Sequence, residues 1–154
     1  MALLIQPFGT AALKNVTLAL KSSDQSVNSS TTLVDCTSLS FPILANETWY
    51  FNITTAVLCD ATGQVKFGFT VPSGASGGWF LNAQGAGTGF LNGNTITSSI
   101  STSTTLTATS VLISGTVVNG STAGTVQLQF AQAVSSGTDT TVKGNSFLQA
   151  WKIS

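Results

Sequence analysis

The stretch FPILANETWYFNI, residues 41–53, decides how the chain is read. Phe41, Trp49, Tyr50 and Phe51 crowd into it, divided by a turn-like Ala45-Asn46-Glu47. Such a cluster fits a ligand-binding strip, a glycosylated surface carrying the Asn46-Glu47-Thr48 and Asn52-Ile53-Thr54 sequons, or a core strand. Parity separates the three. In an extended chain Trp49, Phe51, Ile53 and Val57 project to one side, and Tyr50, Asn52, Thr54 and Leu58 to the other. The first side is apolar; the second mixes phenol, amide and hydroxyl. That is a strand with one face in a core, and residues 49–58 form the longest strand candidate. The second face is free to meet another subunit, and mid-strand Asn52 is a poor glycan acceptor.

The same alternation recurs outward from this stretch. In VKFGFTV (65–71), Val65, Phe67, Phe69 and Val71 share one side; in TVQLQF (125–130), Val126, Leu128 and Phe130 do. VTLALK (16–21), TTLVD (31–35), SLSF (38–41), GGWFLNA (77–83), SVLISGTVVN (110–119), GTVQLQFAQAV (124–134) and NSFLQAWKI (145–153) are further candidates. The last is apolar on both sides, with Phe147, Trp151 and Ile153 opposite Leu148 and Ala150. A strand of that kind is central in a sheet or covered by a neighbouring subunit. ITSSISTSTTL (96–106) reads as one long exposed strand or two short ones. The glycine-rich QGAGTGFLNGNT (84–95) reads as a loop; its GAGTG lacks the spacing and the following helix of a dinucleotide fingerprint. About eight to ten antiparallel strands, turn signals between them and no convincing helix predict an all-β sandwich. Residues 1–14, MALLIQPFGTAALK, read as an arm preceding one domain over residues 15–154.

Composition narrows the function classes. The 154 residues suit a single domain. Only 6% are charged, against about 25% in ordinary soluble domains. All five cations are lysines, with no Arg and no His, and the net charge is zero. There is no basic footprint for nucleic acid. The commonest general base and metal ligand is missing. Ser and Thr supply 44 residues, yet a mean hydropathy of +0.35 opposes disorder. Solubility therefore rests on hydroxyls and amides, and a monomer with such a surface tends to associate. No stretch reaches the roughly 18–20 apolar residues of a spanning helix. Residues 1–14 do not read as a signal peptide, because Gln6 and Pro7 break the apolar run and no basic segment precedes it. The expectation is a protein without cofactor, metal, nucleic-acid or membrane partner.

Candidate chemical sites are few. A serine nucleophile has no His to activate it. Asp35, Glu47 and Asp60 lie nearest the core strands and are the candidates for paired carboxylates. They read better as groups that cap backbone N–H at turns, and the chain does not read as an enzyme. Cys36 and Cys59 read as small buried hydrophobes; a bridge requires strands that bring them together. The five sequons, at Asn15, Asn28, Asn46, Asn52 and Asn119, follow from a Ser/Thr-rich composition. Trp49, Trp79 and Trp151 read as core or interface rather than as a sugar platform.

Residues 29–74, SSTTLVDCTSLSFPILANETWYFNITTAVLCDATGQVKFGFTVPSG, resemble structural proteins of tailed bacteriophages. The resemblance lies in the ordered series Leu33, Asp35, Leu39 and Phe41-Pro42, then ANETWYF (45–51), then FGFTVPSG (67–74). The closing NSFLQAWKIS (145–154) is similar to their terminal strand. The match covers most of the chain after residue 15, except residues 84–110. It implies a jelly-roll domain akin to the tumour-necrosis-factor-like fold, trimeric on the virion. An arm and a jelly roll with no shaft imply a head decoration, or cement, protein. Such a homotrimer binds the major capsid protein on the capsid exterior, stabilises contacts between capsomers and is assembled in the bacterial host cytoplasm. The implied capsid-contact arm holds Leu3, Leu4, Ile5, Pro7 and Phe8. The implied subunit interface holds Tyr50, Leu148 and Trp151. The alternative is a receptor-binding module at a tail-fibre or spike tip, with Trp79 and Phe90 on a host-surface glycan. A secreted lectin or cytokine-like ligand is a third reading and requires a signal peptide.

Overall fold

The computed structural model describes residues 15–83, 91–93, 95–102 and 105–154. The expected arm, Phe90 and most of the expected 84–95 loop lie outside these residues. The described residues form twelve strands: β1 Val16–Lys21, β2 Gln25–Val27, β3 Val34–Ile43, β4 Thr48–Cys59, β5 Lys66–Thr70, β6 Ser76–Ala83, β7 Leu91–Gly93, β8 Ile100–Ser101, β9 Leu106–Val118, β10 Gly124–Ala131, β11 Thr140–Val142 and β12 Ser146–Lys152.

Pairing is nested. β1 pairs with β12, β2 with β11, β3 with β10, β4 with β9 and β5 with β8, all antiparallel. The chain is thus one long hairpin, first strand against last, working inward. Successive long pairs fall alternately into two sheets. One sheet runs β1-β12-β4-β9-β6-β7, with β11 and β2 attached beside β4. The other runs β3-β10-β5-β8. A hairpin rolled into two packed sheets in this way is a jelly roll, as expected. The β6–β7 hairpin is an addition to that plan, paired onto the far edge of β9.

The strands differ from their sequence candidates where bulges break the two-residue period. TTLVD and SLSF are not two strands; β3 is continuous through residues 34–43. Ser38 has φ 70°, and the register against β10 shifts between Gln127 and Gln129. The Gln127 amide nitrogen lies 2.9 Å from the Cys36 carbonyl and 2.8 Å from that of Leu128, so its donors occupy the bulge. β9, at thirteen residues, outruns β4 at twelve. Its first turn of strand is hidden in the sequence because Ala108, at φ 53°, interrupts the alternation. The four strands of two or three residues are too short to leave a pattern, and three of them raise the count above ten.

The core lies between the sheets. Trp49, Phe51, Ile53 and Val57 face inward, as their parity requires. Rings cross the gap in a continuous series: Trp49 to Phe41 at 5.5 Å between centroids, Phe41 to Phe51 at 6.0 Å, Phe51 to Phe69 at 5.0 Å and Phe69 to Trp79 at 5.1 Å. Gly115 on β9 makes this packing possible. A Cβ there would stand 2.7 Å from Phe51 Cζ, from Trp79 Cβ and from the Gly78 carbonyl oxygen. Two of those atoms belong to, or lie next to, backbone and cannot swing aside. Cys36 and Cys59 are both buried and not bonded to each other; burial pushes the Cys36 thiol up to about 12.

Gly115→Ala is therefore expected to destabilise the domain by about 1–3 kcal/mol, the usual range for overpacking a filled core. Chemical denaturation checks this; an unchanged midpoint would show that the sheets separate freely.

Candidate subunit interface

The outer face of the larger sheet follows from its register. One row across it is Val16, Trp151, Tyr50, Thr116 and Gly78; the next is Leu18, Gln149, Asn52, Ser114 and Phe80; the third is Leu20, Phe147, Thr54, Leu112 and Asn82. None of these fifteen residues is charged. Leu18 and Leu20 are 61% and 60% exposed. Tyr50 stacks on Trp151 with centroids 5.7 Å apart and planes inclined by 26°. Asn52 Oδ1, at the centre, accepts from the Tyr50 hydroxyl at 3.0 Å and from the Ser114 hydroxyl. The hydroxyls and the amide oxygen are thus bonded to one another, which lowers the cost of taking this face out of water.

The edge of this face is its most apolar part. Parity in VTLALK alone would turn Val16, Leu18 and Leu20 inward and leave Lys21 in water. The opposite occurs. Lys21 is 1% exposed, and its ammonium donates to Thr37 Oγ1 at 2.6 Å and Gln25 Oε1 at 3.0 Å. The leucines consequently stand on an edge strand that lacks the outward charge by which edges ordinarily repel other chains. Charge depletion with aromatic and aliphatic exposure is the composition of interface cores.

Two of the three expected interface residues, Tyr50 and Trp151, lie together on this face. Leu148 does not: it points between the sheets, 1% exposed, and belongs to the core. Its neighbour Phe147 holds the outward position. Trp79, expected to touch a glycan, is also internal. It meets Phe69 edge-on and is 3% exposed. That orientation was available from GGWFLNA, where Trp79, Leu81 and Ala83 share the more apolar side. Leu3, Leu4, Ile5, Pro7, Phe8 and Phe90 lie outside the described residues. Leu18 and Leu20 carried no sequence signal of exposure, because nothing in VTLALK announces that Lys21 is bonded inside.

The three candidate carboxylates are each engaged. Asp60 accepts from the Gly63 N–H and from the Ser136 hydroxyl, which hold it below the usual carboxylate range. Asp35 accepts from Gln129 Nε2 at 2.8 Å, across the strand pair rather than at a turn. Glu47 Oε2 accepts from the Leu44 N–H and from Trp49 Nε1, each at 2.9 Å, fastening the turn before β4 as its position suggested. Glu47 Oε1 pairs with Lys152 Nζ at 2.9 Å. Asn15, Thr17, Pro42, Leu44, Trp49 and this pair enclose a cleft of about 320 Å³. Among the described residues no three His, Cys, Asp or Glu side chains are grouped to hold a metal ion. No helix there is long and apolar enough to cross a membrane.

No family model and no curated protein matches the chain. Among solved structures, it is similar to the tripod (BppUct-A-L) from the baseplate of bacteriophage Tuc2009, at 15% identity and a TM-score of 0.34, over 98% of this chain and 72% of that one. It is also similar to two infectious bursal disease virus structures, the Gt strain and the VP2 subviral particle. These have identities of 12% and 11% and TM-scores of 0.19 and 0.22. Each covers 89% of this chain, which spans 39% and 41% of their lengths. Scores this low do not establish a shared fold, and the descriptions belong to those proteins alone.

The Lys152 ammonium, bonded to Glu47, holds that carboxyl below its ordinary range against the opposing effect of burial. Its stabilising contribution is complete above the unfolded carboxyl value of about 4.3 and is lost as pH falls through the lower folded value. Glu47→Gln is expected to lower the melting temperature at pH 7 and to flatten its decline below pH 4. Melting curves from pH 7 to 2.5 test this; a variant with the same acid slope as the parent would remove Glu47 from the account.

Proposed function

We propose that the protein is a virion structural protein: a homotrimeric jelly roll that decorates the outside of a phage capsid and stabilises contacts between capsomers. The observation that carries this reading is the uncharged outer face bearing Leu18, Leu20, Phe147 and the Tyr50–Trp151 stack. A face of that composition favours burial against other copies of the chain, with the phage-like series over residues 29–74 giving the trimer and the capsid as partners. Its role is mechanical rather than catalytic. Decoration buries surface across neighbouring capsid subunits, so that their separation must re-expose it, and many copies around the shell add avidity. The receptor-binding alternative uses the same trimer but loses Trp79, which the core has taken.

Sedimentation of the purified protein at micromolar concentration is expected to give a trimer. Leu18→Lys and Tyr50→Lys, each placing a charge on the covered face, are expected to weaken it at least tenfold. A monomeric parent would sink the reading. Because the contacts are apolar and amide rather than ionic, binding to shells is expected to persist in molar NaCl. Removal of residues 1–14 is expected to leave the trimer intact and abolish decoration; shells that still bind the truncated protein would refute the capsid-contact role of that segment.

A further inference from the structure

The two ends of the sandwich differ in charge. Asn15, the β3–β4, β5–β6, β7–β8 and β9–β10 connections and the residues after β12 form one end; the remaining described connections form the other. Seven of the nine charged residues described lie at the second end. Lys21, Asp24 and Lys143 cluster around the β1–β2 and β11–β12 turns, and Asp60 and Asp139 stand in the loops beside them. Asp35 and Lys66 sit where β3 and β5 leave that end. Among the described residues the first end holds only Glu47 and Lys152, and these are bonded to each other.

Apolar exposure does not separate the ends. Leu44, Val118 and Ile153 are exposed at the first, and Val34, Leu58 and Val134 at the second. Charge does separate them. Asp24 and Lys143 are bonded to each other and Lys21 is already buried, but Asp35, Asp60, Asp139 and Lys66 form no ion pair among the described residues, and seating the second end on another protein would strip water from them. Seating the first end strips water from no described side-chain charge that lacks an ion pair. That end also carries the cleft, walled by Pro42, Leu44 and Trp49, and a pocket of this kind suits a buried anchoring side chain. Asn15 stands at the cleft, so residues 1–14, with their apolar MALLI and Pro7-Phe8, join the domain there.

We propose that the Glu47–Lys152 end seats on the shell, its cleft receiving an uncharged aliphatic or aromatic side chain of the capsid protein, while the charged end faces solvent. This rests on the decoration reading. It also agrees with a trimer closed by the outer sheet face, since the two ends of the sandwich then remain free as the two ends of the assembly.

The test compares two double variants on shells stripped of the protein. Leu44→Lys with Ile153→Lys alters the first end; Val34→Lys with Val134→Lys alters the second. Both are first shown to be trimers by sedimentation. The first pair is expected to lose at least tenfold in affinity and the second to stay within twofold of the parent. Equal losses, no loss in either, or loss in the second alone would overturn the orientation. A parent that does not bind shells at all would overturn the decoration reading and the orientation with it. A second measurement needs no variant. Amine acylation of decorated particles, read by mass spectrometry, is expected to mark Lys143 and to spare Lys152, with both marked in the free trimer. Lys152 marked equally in both states would also refute the proposal.

Discussion

The seat of the Phe51 ring over Gly115 is the contact on which the rest of the molecule depends. Phe51 belongs to β4, which is hydrogen-bonded to β12 on one side and β9 on the other. Its ring meets Phe41 from β3 and Phe69 from β5, so three strands of two sheets converge on it. A side chain on β9 at this point would push β4 and the opposite sheet apart. With none there, the rings interlock and the sheets approach closely. Once Phe51 faces inward, the pleat leaves Tyr50 and Asn52 no choice but the outer face. The same contact that closes the core therefore sets which residues are offered to a partner.

That dependence explains why so much could be read from FPILANETWYFNI. A strand of twelve residues with an unbroken period states its parity openly, and neighbours in a sheet inherit it through register. The all-β sandwich, the inward Trp49, Phe51 and Ile53, and the turn-fastening Glu47 all followed from such runs; the jelly roll came from the resemblance over residues 29–74. What stayed hidden has a physical reason in each case. The bulges at Ser38 and Ala108 insert residues that shift parity, so one strand read as two and another lost its beginning. NSFLQAWKI is apolar on both sides, and only its register against Tyr50 and Phe51 sends Leu148 inward and Trp151 outward. Lys21 inverts the usual rule, because Thr37 and Gln25 on neighbouring segments give its ammonium acceptors that the local sequence does not reveal.

The low charge content acquires a meaning once the partners of the charged residues are seen together. Asp24 bonds Lys143, Glu47 bonds Lys152, Asp35 holds Gln129 and Asp60 holds Gly63 and Ser136. Asp139 accepts from Asn28, Lys66 donates to the Thr31 carbonyl and Lys21 is tied inside. Every charged residue described is a fastener of a turn, a loop or a strand end. The loops at the charged end are secured in the same manner by the buried Gln132, whose amide accepts from Ser30 and Ser136 N–H and donates to the Ser136 and Thr138 carbonyls. None of the described charges stands on the outer face of the larger sheet.

A sandwich built in this way gathers its charge at one end and is sparing of it elsewhere. Hydroxyls and amides that bond among themselves, as Tyr50, Asn52 and Ser114 do, hydrate a face less strongly than ammonium or carboxylate groups and release it at lower cost. The aliphatic edge at Leu18 and Leu20 adds a positive incentive, since covering it removes apolar surface from water. Fastening charges at the ends thus has two consequences at once. It closes the loops of a fold with little else to order them, and it leaves the outer face of the larger sheet without charge, as the proposed subunit contact requires. An isolated domain would gain nothing from the second consequence and would risk aggregation through it. A subunit of an assembly gains its interface without any residue set aside for the purpose.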